Sequence, residues 1–134
     1  KPKIICEKLI NTPNGEPPKD YKLYCFNGNV KVILVCTERD KSVKLNFFDT
    51  KWKQLQDIVE EQYSSEKMIE KPKNLEQMIK YAEILGKNFK FVRVDFYNDN
   101  GKIIFGEMTF TPAACISPKY SENGSRKLGD YLTI

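Results

Sequence analysis

The stretch that decides the fold is Phe91-Val92-Arg93-Val94-Asp95-Phe96-Tyr97-Asn98-Asp99-Asn100-Gly101-Lys102-Ile103-Ile104-Phe105-Gly106-Glu107-Met108-Thr109-Phe110-Thr111-Pro112. Two runs rich in aromatic and β-branched residues flank a cluster of turn formers, which is the signature of a β-hairpin. Strands are expected over 89–97 and 102–110, joined by a three-residue loop, Asp99-Asn100-Gly101, built as a type I turn followed by a left-handed glycine. In that register Asn98 pairs with Lys102, Asp95 faces Phe105 and Arg93 faces Glu107. Strand side chains alternate between faces, so Arg93, Asp95, Phe105, Glu107 and Thr109 share one face. Val92, Val94, Phe96, Ile104 and Met108 take the other, the natural core face. Asp95 and Glu107 are then diagonal neighbours with Cβ atoms roughly 7–8 Å apart, and such carboxylates can converge on a hard cation at ~2.0–2.1 Å per oxygen. Arg93 beside them is a fork-shaped donor suited to phosphate. An Arg and two acids on one strand face are equally the pattern of a solvent-exposed ion pair. A two-residue loop would shift the pairing by one and split the set.

Working outward, 75–87 carries Leu75, Met78, Ile79, Ala82 and Leu85 at helical spacing, with Asn74 as N-cap, Gln77 completing a capping box and Gly86 as a stop. Strands are expected at 21–26 and 30–37, around Asn27-Gly28-Asn29, and a third at 42–48, where Val43, Leu45 and Phe47 alternate with polar residues. A short strand is expected at 3–10. The 11–19 segment holds Pro13, Asn14, Gly15, Pro17 and Pro18 and reads as a loop. The 52–73 segment reads as mostly irregular, and after Pro112 periodicity is lost until 128–132. The fold class that follows is α+β, an antiparallel sheet with packed helices.

The chain has 134 residues, one domain's worth, with 40% hydrophobic and 30% charged residues. No apolar run reaches the ~18 residues of a membrane span. The net charge of +4 comes from 22 basic and 18 acidic residues. The lysines are dispersed, which argues against the single basic stripe of a nucleic-acid binder and leaves a solubilising surface or a basic pocket for a phosphorylated ligand. Cys6, Cys25, Cys36 and Cys115 form no close pair, and there is no histidine. There is no C-x-x-C pair and no histidine to complete a mixed zinc site, and Ser-His or Cys-His nucleophiles are excluded; free thiols in a reducing, cytoplasmic compartment are expected. Acid, base or metal chemistry must come from carboxylates, lysines or tyrosines. The chain starts at Lys1 with an apolar segment almost at once, as a piece cut from a longer protein would.

Arg93-Val94-Asp95 followed by Glu107-Met108-Thr109 and Pro112 resembles the metal-binding segment of the ATP-grasp superfamily, Arg-x-Asp on one strand and Glu-x-Asn with a following Pro on the next. Asp20-Tyr21-Lys22 with Phe26-Asn27-Gly28, and Asn46-Phe47-Phe48-Asp49 with Trp52, narrow the resemblance to the TupA-like branch, associated with teichuronopeptide and surface-polysaccharide biosynthesis. It runs from about residue 2 to residue 129. What it implies is specific. Asp95, Glu107 and Thr109 would ligate magnesium, with Thr109 standing where the superfamily has Asn. Arg93 would stabilise a phosphoryl group or acyl phosphate. Glu7, Lys8, Leu9 and Ile10 would form the hinge strand bordering adenine, Glu7 facing its amino group. Asp20 would hold the ribose hydroxyls with Lys22 nearby, and Lys51 or Lys53 would reach a phosphate. Each has a plainer reading: Glu7 and Lys8 as solvated strand-end charges, Asp20 as a turn residue, Lys22 as decoration of a sheet edge.

The resemblance covers the C-terminal part of an ATP-grasp site, whose N-terminal subdomain supplies a phosphate-binding lysine and a flexible loop. It therefore implies a chain that, alone, binds ATP weakly or not at all. The expected partners are ATP, Mg2+, a small-molecule or saccharide acceptor and that missing subdomain. The leading expectation is a carboxylate–amine ligase acting through an acyl phosphate. The alternatives are a metal-dependent glycosyltransferase of polysaccharide biosynthesis and a non-catalytic binding module that retains the fold.

Overall fold

The computed structural model describes residues 2–7, 9–10, 18–38, 42–65 and 67–133. Its centre is a six-stranded, wholly antiparallel sheet in the order β4-β3-β2-β1-β5-β6. The strands are β1 (Asp20–Phe26), β2 (Asn29–Thr37), β3 (Lys44–Phe48), β4 (Gln54–Leu55), β5 (Phe91–Asp99) and β6 (Lys102–Thr109). With helices α1 (Leu75–Gly86) and α2 (Glu122–Gly129) this is the α+β class expected. The β1–β2 and β5–β6 hairpins close on two-residue turns, Asn27-Gly28 with φ of 49° and 78° and Asn100-Gly101 with 50° and 91°. Positive φ at both positions is the type I′ geometry, whose twist matches that of the flanking strands, and Asn-Gly adopts it at least cost. No helix among the described residues is long and apolar enough to cross a membrane.

Both faces of the sheet are covered. On one, Leu75, Met78 and Ala82 of α1 pack on Leu23, Cys25, Ile33, Val92 and Val94, with Phe48, Trp52 and Ile69 extending the layer. Burying each large apolar side chain contributes about 1.5–3 kcal/mol. Gly86 ends α1 but makes no left-handed cap; a Cβ there would lie 3.0 Å from Cys25 Cβ, so the glycine lets the helix end approach β1. The expected capping box is absent. Asn74 caps nothing and instead ties the helix to the far hairpin, accepting from Asn98 Nδ2 (2.7 Å) and donating to Gly101 O (2.8 Å). Gln77 bonds Tyr81, and Leu85 lies outside the core, 38% exposed. On the opposite face, Tyr24, Phe26, Val32, Leu34 and Phe47 meet Ile58, Val59, Tyr120, Leu128 and Tyr131.

The 52–73 segment is irregular as expected apart from β4 and a 3-10 turn at Glu61–Tyr63. It is anchored by Trp52, which stacks on Phe48 at 4.3 Å and donates its indole N–H to Ile69 O. Helix α2 was not foreseen. The strand expected over 3–10 is not formed: residues 2–7, 9 and 10 lie outside any strand, with Ile4, Ile5 and Leu9 100%, 80% and 79% exposed. Apolar alternation alone does not make a strand where no neighbouring edge receives its backbone. Most of the loop expected over 11–19 lies outside the described residues.

The β5–β6 register differs from the expected one in two steps. The two-residue turn pairs Asp99 with Lys102 and Phe96 with Phe105, one residue off the three-residue loop. A β-bulge then skips Gly106, so that Asp95 pairs with Glu107 and Arg93 with Thr109. The bulge restores the parity that the turn removed. Asp95 and Glu107 are therefore directly opposite rather than diagonal. Phe105 moves from the acidic face to the helix side, where its ring meets Phe96. Ile103, not Ile104, joins Met108 against the core.

Candidate functional site

The polar site lies on the sheet face opposite α1 and is built from cross-strand rows on β1, β5 and β6. Tyr24, Arg93 and Thr109 form one row, Lys22, Asp95 and Glu107 the next, and Asp20 beside Tyr97 the third. Period-2 alternation puts every one of these side chains on the same face. The central strands bury the inner members: Asp95 is 5% and Asp20 6% exposed. The Glu107 side chain, on the edge strand, is 62% exposed.

Asp95 is the hub. Arg93 grips it with both arms, Nε to Oδ1 and Nη2 to Oδ2, each 2.7 Å. Lys22 Nζ reaches Asp95 Oδ2 at 2.6 Å and Asp20 Oδ2 at 2.8 Å. Arg93 Nη2 also donates to Glu107 Oε1 (3.1 Å) and Thr109 Oγ1 (3.0 Å), and the Thr109 hydroxyl donates to Glu107 Oε1 (3.1 Å). Burial acts to lower the Lys22 and Arg93 pKa values, but the Asp20 and Asp95 carboxylates around Lys22, and Asp95 with Glu107 around Arg93, more than offset it and hold both groups charged. Buried charges in this number are stable only as a hydrogen-bonded set.

A cleft of about 280 Å³ opens over this set, lined by Glu7, Asp20, Lys22, Asp95, Tyr97, Gly106 and Glu107. Of the residues singled out for adenine, Glu7 reaches the cleft, Leu9 and Ile10 do not line it, and Lys8 lies outside the described residues. Lys22 stands on a central strand rather than a sheet edge. Lys51 and Lys53 belong to the turn after β3, where their backbone N–H groups bond Asp49 Oδ1. That turn is at the opposite side of the sheet from β6.

Two tyrosines were missed. Tyr24, 3% exposed and beside Arg93 in its row, shares a 2.9 Å hydroxyl–hydroxyl bond with Tyr120. Burial, then the Tyr120 neighbour, push the Tyr24 phenol above its usual range, with Arg93 pulling the other way. The alternation Asp20, Lys22, Tyr24 carries the signal for Tyr24. Nothing local marks Tyr120, which arrives through a backbone bridge to Val59.

Among the described residues no three His, Cys, Asp or Glu side chains gather as a metal-binding group. The oxygen set Asp95, Glu107 and Thr109 nevertheless converges on a single atom, Arg93 Nη2. Two carboxylates and a hydroxyl are hard donors, the chemistry Mg2+ prefers, so the residues present fit that ion. A family model described as TupA-like ATPgrasp matches residues 1–133. No curated protein and no solved structure matches the chain.

Proposed function

Since the chain belongs to the TupA-like ATP-grasp family, we propose that it forms the nucleotide- and magnesium-binding half of an ATP-dependent carboxylate–amine ligase-like protein of cell-surface polysaccharide biosynthesis. The observation that carries this reading is the convergence of Glu7, Asp20, Lys22, Asp95 and Glu107, from the N-terminal segment and three strands, on one cleft. Asp95, Glu107 and Thr109 would hold Mg2+, which when bound supplies charge neutralisation along the phosphates. Asp20 and Lys22 stand for the ribose, and Glu7 for the adenine amino group. Arg93 is the fork-shaped donor for the transferred phosphoryl group, a role that requires release of the two arms that grip Asp95. In the proposed reaction a carboxylate oxygen attacks the γ-phosphorus and ADP leaves. An amine then attacks the acyl carbon and phosphate leaves. The protein's part is positioning and charge stabilisation, which require no histidine.

Glu7 at the cleft favours this reading over a transferase using a nucleotide sugar, which needs no adenine-facing carboxylate. Calorimetry with magnesium–ATP on the full-length protein tests it. Binding is expected, and Asp95→Ala and Glu107→Ala should each abolish it. Unchanged binding in both variants overturns the metal site. ADP release that depends on a carboxylate and an amine acceptor selects the ligase, and turnover of a nucleotide sugar without ADP selects the transferase.

A further inference from the structure

The atom on which the candidate metal donors converge is itself a cation. Arg93 Nη2 lies 2.7 Å from Asp95 Oδ2, 3.1 Å from Glu107 Oε1 and 3.0 Å from Thr109 Oγ1. A magnesium ion held by the same oxygens would stand ~2.0–2.1 Å from each. It would therefore fall on top of the guanidinium, and the two cannot share the position. We propose that Arg93 is an internal cation that occupies the metal position in the unloaded protein, and that metal loading drives it off its carboxylates and frees it to meet the phosphate chain.

The surroundings support an exchange rather than a fixed pair. Lys22 has its own seat between Asp95 and Asp20, so Asp95 stays partly neutralised when Arg93 leaves. On the β1 side the guanidinium is backed by Tyr24, which is itself tied to Tyr120. On the β6 side stands Glu107, 62% exposed at its side chain. The two carboxylate partners of Arg93, Asp95 and Glu107, both line the cleft, so the cleft is the side from which a metal and its phosphate would reach them. The Arg93 side chain, 13% exposed, is held while the metal is absent, which keeps two facing carboxylates from repelling each other across the hairpin.

This inference rests on the metal-site reading above, and its signature has the opposite sign to that of a simple ligand-stabilising arginine. Removing the guanidinium vacates the position and raises the local negative charge by one. Mn2+ should therefore bind the 134-residue chain about tenfold more tightly in Arg93→Met than in the wild type, as read by electron paramagnetic resonance of free Mn2+. Arg93→Lys keeps a charge but cannot grip both Asp95 oxygens, so it should tighten binding less, and it serves if Arg93→Met does not fold. In the wild-type chain, the Arg93 Nε–H resonance, bonded to Asp95 Oδ1 at 2.7 Å, should shift as Mg2+ saturates the site. Asp95→Asn identifies the site. If Asp95→Asn abolishes Mn2+ binding while Arg93→Met weakens it or leaves it unchanged, the exchange is wrong and the metal site stands. If neither the wild type nor Arg93→Met binds Mn2+ in a manner sensitive to Asp95→Asn, the metal-site reading itself falls.

Discussion

At the residue scale, Asp95 and Glu107 are opposite members of one pair with different surroundings. Asp95 compensates two half-buried cations, Arg93 and Lys22, whose side chains are 13% and 15% exposed. Asp95→Ala takes away the carboxylate that both share, leaving Lys22 to Asp20 and Arg93 to Glu107 and Thr109, and should cost about 3 kcal/mol, the lower end for a broken buried set. Glu107→Ala removes an exposed partner and costs less than about 1 kcal/mol. Urea denaturation of the two variants should separate them by that margin, and equal losses would refute the hub role. The same contrast shows what could be read in advance. Asp95, Glu107 and Arg93 were legible because they share one hairpin. That Lys22 closes the set from β1 was not, because the contact spans 73 residues of chain. Tyr120 was illegible for the same reason, its bond to Tyr24 spanning 96.

At the element scale, β1, β2, β3, β5, β6 and α1 could be read because Asn-Gly turns and apolar periods mark them locally, whereas the two-residue β4 carries no such mark and the apolar run over 3–10 misleads. Helix α2 could not be read either: Glu122–Gly129 has a single large apolar residue, Leu128, and exists by docking. Ser121 caps it, accepting from Gly124 N at 2.8 Å, while its own hydroxyl donates to Asp57 O at 2.7 Å and its N–H to Ile58 O at 3.1 Å. Gly124 lies so close that a Cβ there would stand 2.0 Å from Ile58 O. Gly124→Ala should undock the helix and cost about 2–3 kcal/mol. Gly129→Ala, with nothing within 4 Å, should be neutral or slightly stabilising. Thermal melts of the pair check this, and a harmless Gly124→Ala would mean that α2 is not packed on Ile58.

At the scale of the whole molecule, covering both sheet faces buries groups that ionise at alkaline pH. Burial raises the phenols of Tyr21, Tyr24 and Tyr120 and pushes the Cys25 thiol up to about 12. A folded pKa raised above the unfolded value contributes stability that is full below the unfolded value and is lost as pH climbs through the folded one. The melting temperature should therefore fall steadily above about pH 9, with the tyrosinate absorbance of these three rings appearing only on unfolding. Early, reversible ionisation of all seven tyrosines in the folded state would contradict the burial. The same scale explains why Phe105 and Ile104, between the turn and the bulge, exchange faces while Glu107 and Thr109, beyond the bulge, do not. The turn length and the Gly106 bulge lie at different points of the hairpin, yet only their combination sets which way Glu107 and Thr109 point. The two positions thus behave as one heritable unit: a lineage that gains or loses a single residue at the turn keeps its acidic face only by altering the bulge as well.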